Sequence, residues 1–276
     1  HAYRLFYLQG ADRGSRTSPL YTAWIGSDGV VQDPVAVDPY ESSHVRIRRT
    51  DDGYAVAFQA DRIGRTARLD HDGVMVAPGV TDIPELAYYV DRPAFTWNEG
   101  AAGEPAVTFM ATRNKWFGVY HDGHLALSRR AILPAPSSSF SRGGTLWGAN
   151  TSAQEDSLTM QVFDFATHTF LPSRNIVEEV DNPGVPAFLG LPDRVGVFWL
   201  QTAGNRRAIF GRWFDNDGEF LGPPVRITPR TAPSIGTIEN PYDTAFSVAF
   251  NGRETALVYP EPGVGLHFVR ERLECW

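Results

Sequence analysis

One pattern recurs six times along the 276 residues, and a fixed internal period constrains the fold of a chain more than any bulk property. The clearest copy is Gly196–Thr228, GVFWLQTAGNRRAIFGRWFDNDGEFLGPPVRIT. It reads as an apolar and aromatic strand, a polar loop, an alternating strand, an Asp-Gly turn and a last strand ending in Pro-Pro-Val-Arg-Ile-Thr. Tyr3–Val37, Tyr54–Pro84 and Ala106–Pro134 keep that order, while Thr145–Val177 and Thr255–Trp276 are degenerate copies. The turn glycines Gly29, Gly73 and Gly123 stand 44 and 50 residues apart, and the next intact one, Gly218, follows after 95, about two periods. A period in the forties is the length of one four-stranded unit.

Between the copies lie short segments that supply a further strand to each: Val45–Arg48, Ala94–Trp97, Ser138–Ser141, Pro186–Leu189 and Ala245–Ala249. The strand segments alternate with period two and are rich in Val, Phe, Tyr, Trp and Thr, with Gly, Asp, Asn and Pro between them. No window carries a capped 3.6-residue apolar stripe, so almost no helix is expected. Four-stranded units at this spacing protect their edges by packing radially, which predicts one all-β domain over residues 1–276. The expected architecture is a β-propeller of about six blades of four-stranded antiparallel sheets. The first copy lacks an inner strand and the last an outer one, so five blades with extra strands is the alternative count.

In the wording of its repeats the chain resembles bacterial exported β-propeller proteins, through the F-D-x-D-G-x-x-L-G-P run at Phe214–Pro223. Such repeats occur in lectins, enzymes and surface scaffolds, so the resemblance implies a fold and assigns no residue a role.

A formal net charge of −7 repels a phosphate backbone, and no basic stripe gathers along the sequence, which argues against nucleic acid as a partner. Lys115 is the only lysine among 25 basic residues. The 24 arginines suit planar contacts to carboxylates and hydroxyl-rich ligands, or reflect genomic codon usage. A single cysteine, Cys275, leaves no internal disulfide and no cysteine zinc site. No apolar run approaches the ~20 residues of a bilayer-spanning helix. The sequence starts at His1 rather than Met, which reads as removal of a signal peptide or as trimming, and the expected location is secreted or periplasmic. An N-terminal histidine can chelate copper only if a second histidine meets it in space.

Four of the segments leading into the inner strands repeat an acidic, proline-containing motif, Asp38-Pro39-Tyr40-Glu41, Asp91-Arg92-Pro93, Asp181-Asn182-Pro183 and Glu239-Asn240-Pro241-Tyr242-Asp243, while the entry at Pro134–Ser138 lacks the acid. Such acids can cap turns ahead of proline-stiffened strands. The alternative is a set of carboxylates at the channel mouth, able to hold a hard cation such as Ca²⁺, bind sugar hydroxyls, or share acid and base roles. His44 follows the first motif and opens an inner strand. The second-to-third strand loops repeat Asp12-Arg13 and Asp61-Arg62, with Arg113, Arg206 and Arg207 at related places. Together with Tyr40, Tyr242 and Trp97, these acids and arginines match a saccharide surface, where aromatic faces meet apolar sugar faces and charged groups read hydroxyls. The runs Asp70–Gly73 and Asp215–Gly218 look like calcium loops but lack the distal glutamate and further oxygen ligands, so hairpin turns are expected. His121 and His124 flank another hairpin turn. No nucleophile elbow or phosphate-binding glycine loop is present, and Ser27-Asp28-Gly29 lacks the downstream tryptophan of a sialidase-type box.

Three functions follow from this reading. The first is an exported protein that binds carbohydrate or another polar small molecule, with Tyr40, Glu41, His44, Arg92, Trp97, Asn182, Asn240, Tyr242, Asp243, Asp12, Arg13, Asp61 and Arg62 as contacts. The second is a glycoside hydrolase or lyase working through Asp38, Asp91, Asp181 and Glu239. The third is a protein-interaction scaffold, marked by a broad exposed apolar patch.

Overall fold

The structure is a computed structural model that describes residues 3–8, 18–26, 28, 30–32, 34–60, 63–83, 93–99, 105–111, 116–121, 124–130, 138–142, 144–151, 157–164, 166–167, 169–180, 183–204, 206–228, 235, 246–250, 253–261 and 265–272. Every regular element among them is a strand. The chain divides into two compact units, His1–Ala135 and Pro136–Trp276.

The first unit holds two sheets. One runs in chain order through β1 (Tyr3–Leu8), β2 (Ser18–Ile25), β3 (Val35–Thr50), β4 (Gly53–Ala60), β5 (Ile63–Leu69) and β6 (Thr81–Ile83); the other is β7 (Pro93–Glu99), β8 (Pro105–Ala111), β9 (Trp116–His121) and β10 (His124–Arg130). The second unit holds three. They are β11 (Ser138–Arg142), β12 (Thr145–Thr151), β13 (Ser157–Asp164), β14 (Thr169–Phe170) and β15 (Arg174–Glu178); then β16 (Ala187–Leu191), β17 (Arg194–Ala203), β18 (Arg206–Phe214) and β19 (Val225–Arg226); then β20 (Ser247–Phe250), β21 (Glu254–Glu261) and β22 (Gly265–Arg272). All pairings given for these strands are antiparallel.

Six repeats thus fold into five sheets among the described residues, the lower of the two counts that the sequence allowed. The reason is β3, a single 16-residue strand that serves two repeats at once. Its first half is the outer strand of copy one, with Thr22 opposite Val35 and Leu20 opposite Asp38. Its second half is the inner strand of copy two, with Ile47 opposite Val56 and Thr50 opposite Gly53. The pairing register shifts on both sides of the crossover. Leu20 and Val37 from one half and Val56, Phe58 and Leu69 from the other therefore share one buried cluster.

In the second unit the sheets pack through two further clusters. Trp147, Met160 and Val162 meet Ile176, Val195, Val197, Trp199 and Phe214, while Leu189, Phe198, Leu200 and Ile209 meet Phe246, Leu257 and Tyr259. Alternation along β17 explains how one strand feeds both: Val195, Val197 and Trp199 face one neighbour, Phe198 and Leu200 the other. Glycines make room on the second face. The ring of Phe198 lies where side chains at Gly196 and Gly211 would stand.

The expected turns are present. Gly73 and Gly218 have φ of 77° and 82°. Asp70 Oδ1 accepts from the amides of Asp72 and Val74, and Asp215 Oδ1 accepts from those of Asp217 and Glu219, all at 2.8–3.0 Å. Both carboxylates are committed to the turn backbone. His121 and His124 are backbone register partners at the end of β9 and the start of β10.

Candidate functional site

The first strand of each repeat positions the candidate site. β7, β11, β16 and β20 are each an edge strand of their sheet, and the strands predicted at Ala94–Trp97, Ser138–Ser141, Pro186–Leu189 and Ala245–Ala249 fall on them. Within the first unit β7 lies against β3. Within the second, β16 lies between β11 and β20. First strands of consecutive sheets are therefore neighbours inside each unit; the acidic segments stand in the chain directly ahead of β7, β16 and β20, and the first of them lies within β3.

Of the candidate residues, Asp38, Tyr40, Glu41 and His44 belong to the backbone of β3, and Trp97 to that of β7 opposite Val107. The expectation of a loop at Asp38–Glu41 is corrected: the segment is strand, because β3 continues from one repeat into the next. At its centre Ser42 pairs with Ser18 on one side and Ala60 on the other. The candidates Asp12, Arg13, Asp61, Arg62, Asp91, Arg92, Asp181, Asn182, Glu239, Asn240, Tyr242 and Asp243 lie outside the described residues.

Buried residues flank two of the acidic segments in the chain. Asp181-Asn182 stands between Val180, 1% exposed in a core cluster, and the buried Pro183, whose carbonyl accepts the Leu200 amide at 3.2 Å. Positive φ at Glu179 (57°) and Gly184 (63°) brings the chain into and out of these anchors. The Glu239–Asp243 segment is bracketed by Ile235 and Phe246, both buried in one cluster, with the Ile235 amide bound to the Arg207 carbonyl at 3.2 Å.

A face rich in arginine, missed in the sequence reading, continues from the β3 segment. Arg48, Ala55 and Arg68 are opposite one another across β3, β4 and β5, and Arg46, Ala57 and Thr66 form the next row. The alternation Val45-Arg46-Ile47-Arg48 carries the signal, since Val45 and Ile47 pack into the core and the arginines take the other face. Desolvation pushes the Arg46 guanidinium below the usual arginine range, and its Nη1 donates to the Val45 carbonyl at 2.9 Å. At the far end of the same hairpin, a hydrogen bond from Thr50 Oγ1 (2.8 Å) holds the Asp52 carboxyl below the usual carboxylate range. No group of three or more His, Cys, Asp or Glu side chains with metal-binding geometry occurs among the described residues. None of their helices is long and apolar enough to cross a membrane.

Several solved structures share this architecture. Hydrazine synthase from Kuenenia stuttgartiensis superposes with a TM-score of 0.51 at 12% identity, covering 91% of this chain and 76% of that one. An α-L-arabinanase from Penicillium chrysogenum, complexed with arabinobiose, gives 0.52 at 12% identity over 84% and 79%. A luciferin-regenerating enzyme gives 0.50 at 15% identity over 94% and 88%. The chain is a five-bladed β-propeller. Propellers of such different activity share the scaffold alone at this identity, and the chemistry lies in the segments grafted onto it. No protein-family model matches the sequence. A comparison with curated proteins finds no match either.

Proposed function

We propose that this propeller is an exported carbohydrate-binding protein, in which the acidic segments ahead of the first strands form several similar shallow sites. One observation carries the reading: the strands that contain or follow these segments lie side by side within each unit, β3 with β7 and β16 with β20. Acids, amides and aromatics recurring at one topological position make repeated sites of similar chemistry, and repeated sites give multivalent binding. The clamped ends at Val180 and Pro183 and at Ile235 and Phe246 support it further. Tyr40, Trp97 and Tyr242 supply faces for sugar rings, and Asp38, Asp91, Asp181 and Glu239 accept from hydroxyls. The fold is also that of an arabinanase, so hydrolysis by the same carboxylates is the second reading.

A broad glycan array, run with Ca²⁺ and again with a chelator, tests the proposal. Binding that weakens at least about tenfold in Asp181→Asn or Glu239→Gln, with no reducing ends released from the bound glycan, supports it. Silence across the array overturns it. Release of reducing ends that disappears in those variants while binding persists selects the hydrolase, and loss of binding with the chelator assigns the cation.

A further inference from the structure

The Asp-x-Asp-Gly turns do more than reverse the chain. Gly73, in copy two, is buried against copy one: a Cβ there would stand 2.6 Å from Thr22 Cγ2 and 3.0 Å from Arg4 Nη1. Gly218, in copy five, is buried against copy four, where a Cβ would stand 3.7 Å from Val162 Cγ2 and 3.9 Å from both Met160 Cε and the Trp147 ring. These partners are equivalent. Tyr3 pairs with Ile25, the last residue of β2, and Leu146 pairs with Phe163 near the end of β13. Arg4 and Trp147 each follow the first member of that pair by one residue, while Thr22 and Met160 each precede the second by three. Two turns, in two different units, thus rest on the same two positions of the repeat before them.

Polar ties accompany both contacts. Arg4 lies 3.9 Å over the Trp24 ring and donates to the carbonyls of His71 and Asp72 in the copy-two turn, each at 2.8 Å. Arg174 of copy four forms a two-pronged pair with Glu219, the residue after Gly218. The exception follows the same rule. At the corresponding positions copy five has Gly196 and Gly211, since Val195 pairs with Phe214, and the Phe198 ring fills that space. Copy six, which packs on that face, follows its third strand with Leu273-Glu274-Cys275-Trp276 and not with such a turn.

We infer that the Asp-x-Asp-Gly turn is a fastening between repeats: each repeat that has it docks the turn into a receiving surface on the preceding repeat, and the receiving side chains are chosen to match. At Gly73 the glycine then serves twice, once for positive φ and once for close approach, and at Gly218 for positive φ.

Asparagine separates the two roles, because it tolerates positive φ but carries a Cβ. Gly73→Asn should lower the thermal midpoint by about 5 °C or more, and Gly218→Asn, whose Cβ meets only ordinary contacts, by under about 2 °C. Thr22→Ser removes the clashing methyl, so Thr22→Ser with Gly73→Asn should recover most of the loss even if Gly73→Asn alone fails to fold. Equal effects of the two asparagine variants, or a double variant no better than Gly73→Asn, would overturn the inference and leave the glycines as turn formers only.

Discussion

Asp215 and Asp70 show how a residue with the look of a metal ligand is used for something else. Each carboxylate accepts two amides of its own turn, which satisfies donors the hairpin would otherwise expose. Asp215→Ala should cost about 1–2 kcal/mol in chemical unfolding, and Asp215→Asn, which keeps the accepting oxygen, clearly less. At Asp52 the Thr50 hydroxyl stabilises the ionised form. The folded-state value is depressed, so the associated stability is present above the unfolded value and is lost as pH falls through the folded one. A carboxyl NMR titration should place the Asp52 midpoint below that of an ordinary aspartate, and Thr50→Val should raise it. Gly190 lies where the Phe140 ring of the neighbouring sheet occupies the space of a side chain. Gly190→Val should therefore destabilise by about 1–3 kcal/mol, measured by the same unfolding assay.

Three outer strands, β6, β15 and β19, are short, yet each brings one aliphatic side chain in or beside it into the core. Ile83 in β6 and Ile176 in β15 are fully buried, and Ile227, just after β19, is 9% exposed. Around them Val225 and Leu171 stay exposed. A two- to five-residue strand is held here by a single anchor rather than by its ladder. Ile176→Ala should cost roughly 2–4 kcal/mol, with Val225→Ala near zero in the same unfolding experiment. Most elements were legible in the sequence. The period-two alternation and the Asp-Gly turns located the repeats, and the short apolar runs at Ala94–Trp97 and Pro186–Leu189 located β7 and β16. Asp38–Glu41 was misread because Asp, Pro and Tyr together spell a turn, whereas pairing of Ser42 with strands on both sides keeps the chain extended. Arg46 and Arg48 were passed over because alternation was searched for its apolar members only.

At the scale of the molecule, repeated units build a fold whose sheets bury three clusters among the described residues. Sequence could count repeats but not sheets, since nothing local shows that one 16-residue strand would close copy one and open copy two. The candidate site is legible in the sequence as a recurring motif, but what the motif contacts depends on which strands become neighbours, a long-range consequence of packing. The central functional claim is that saccharide meets the segments ahead of the first strands. Hydroxyl-radical footprinting with a saturating array-positive glycan tests it most directly. Protection of Tyr40, Trp97 and Tyr242, with Phe220 and Leu221 on the outer part of copy five unchanged, is the result this account expects. Protection confined to Phe220, Leu221 and their outer-strand equivalents would contradict it.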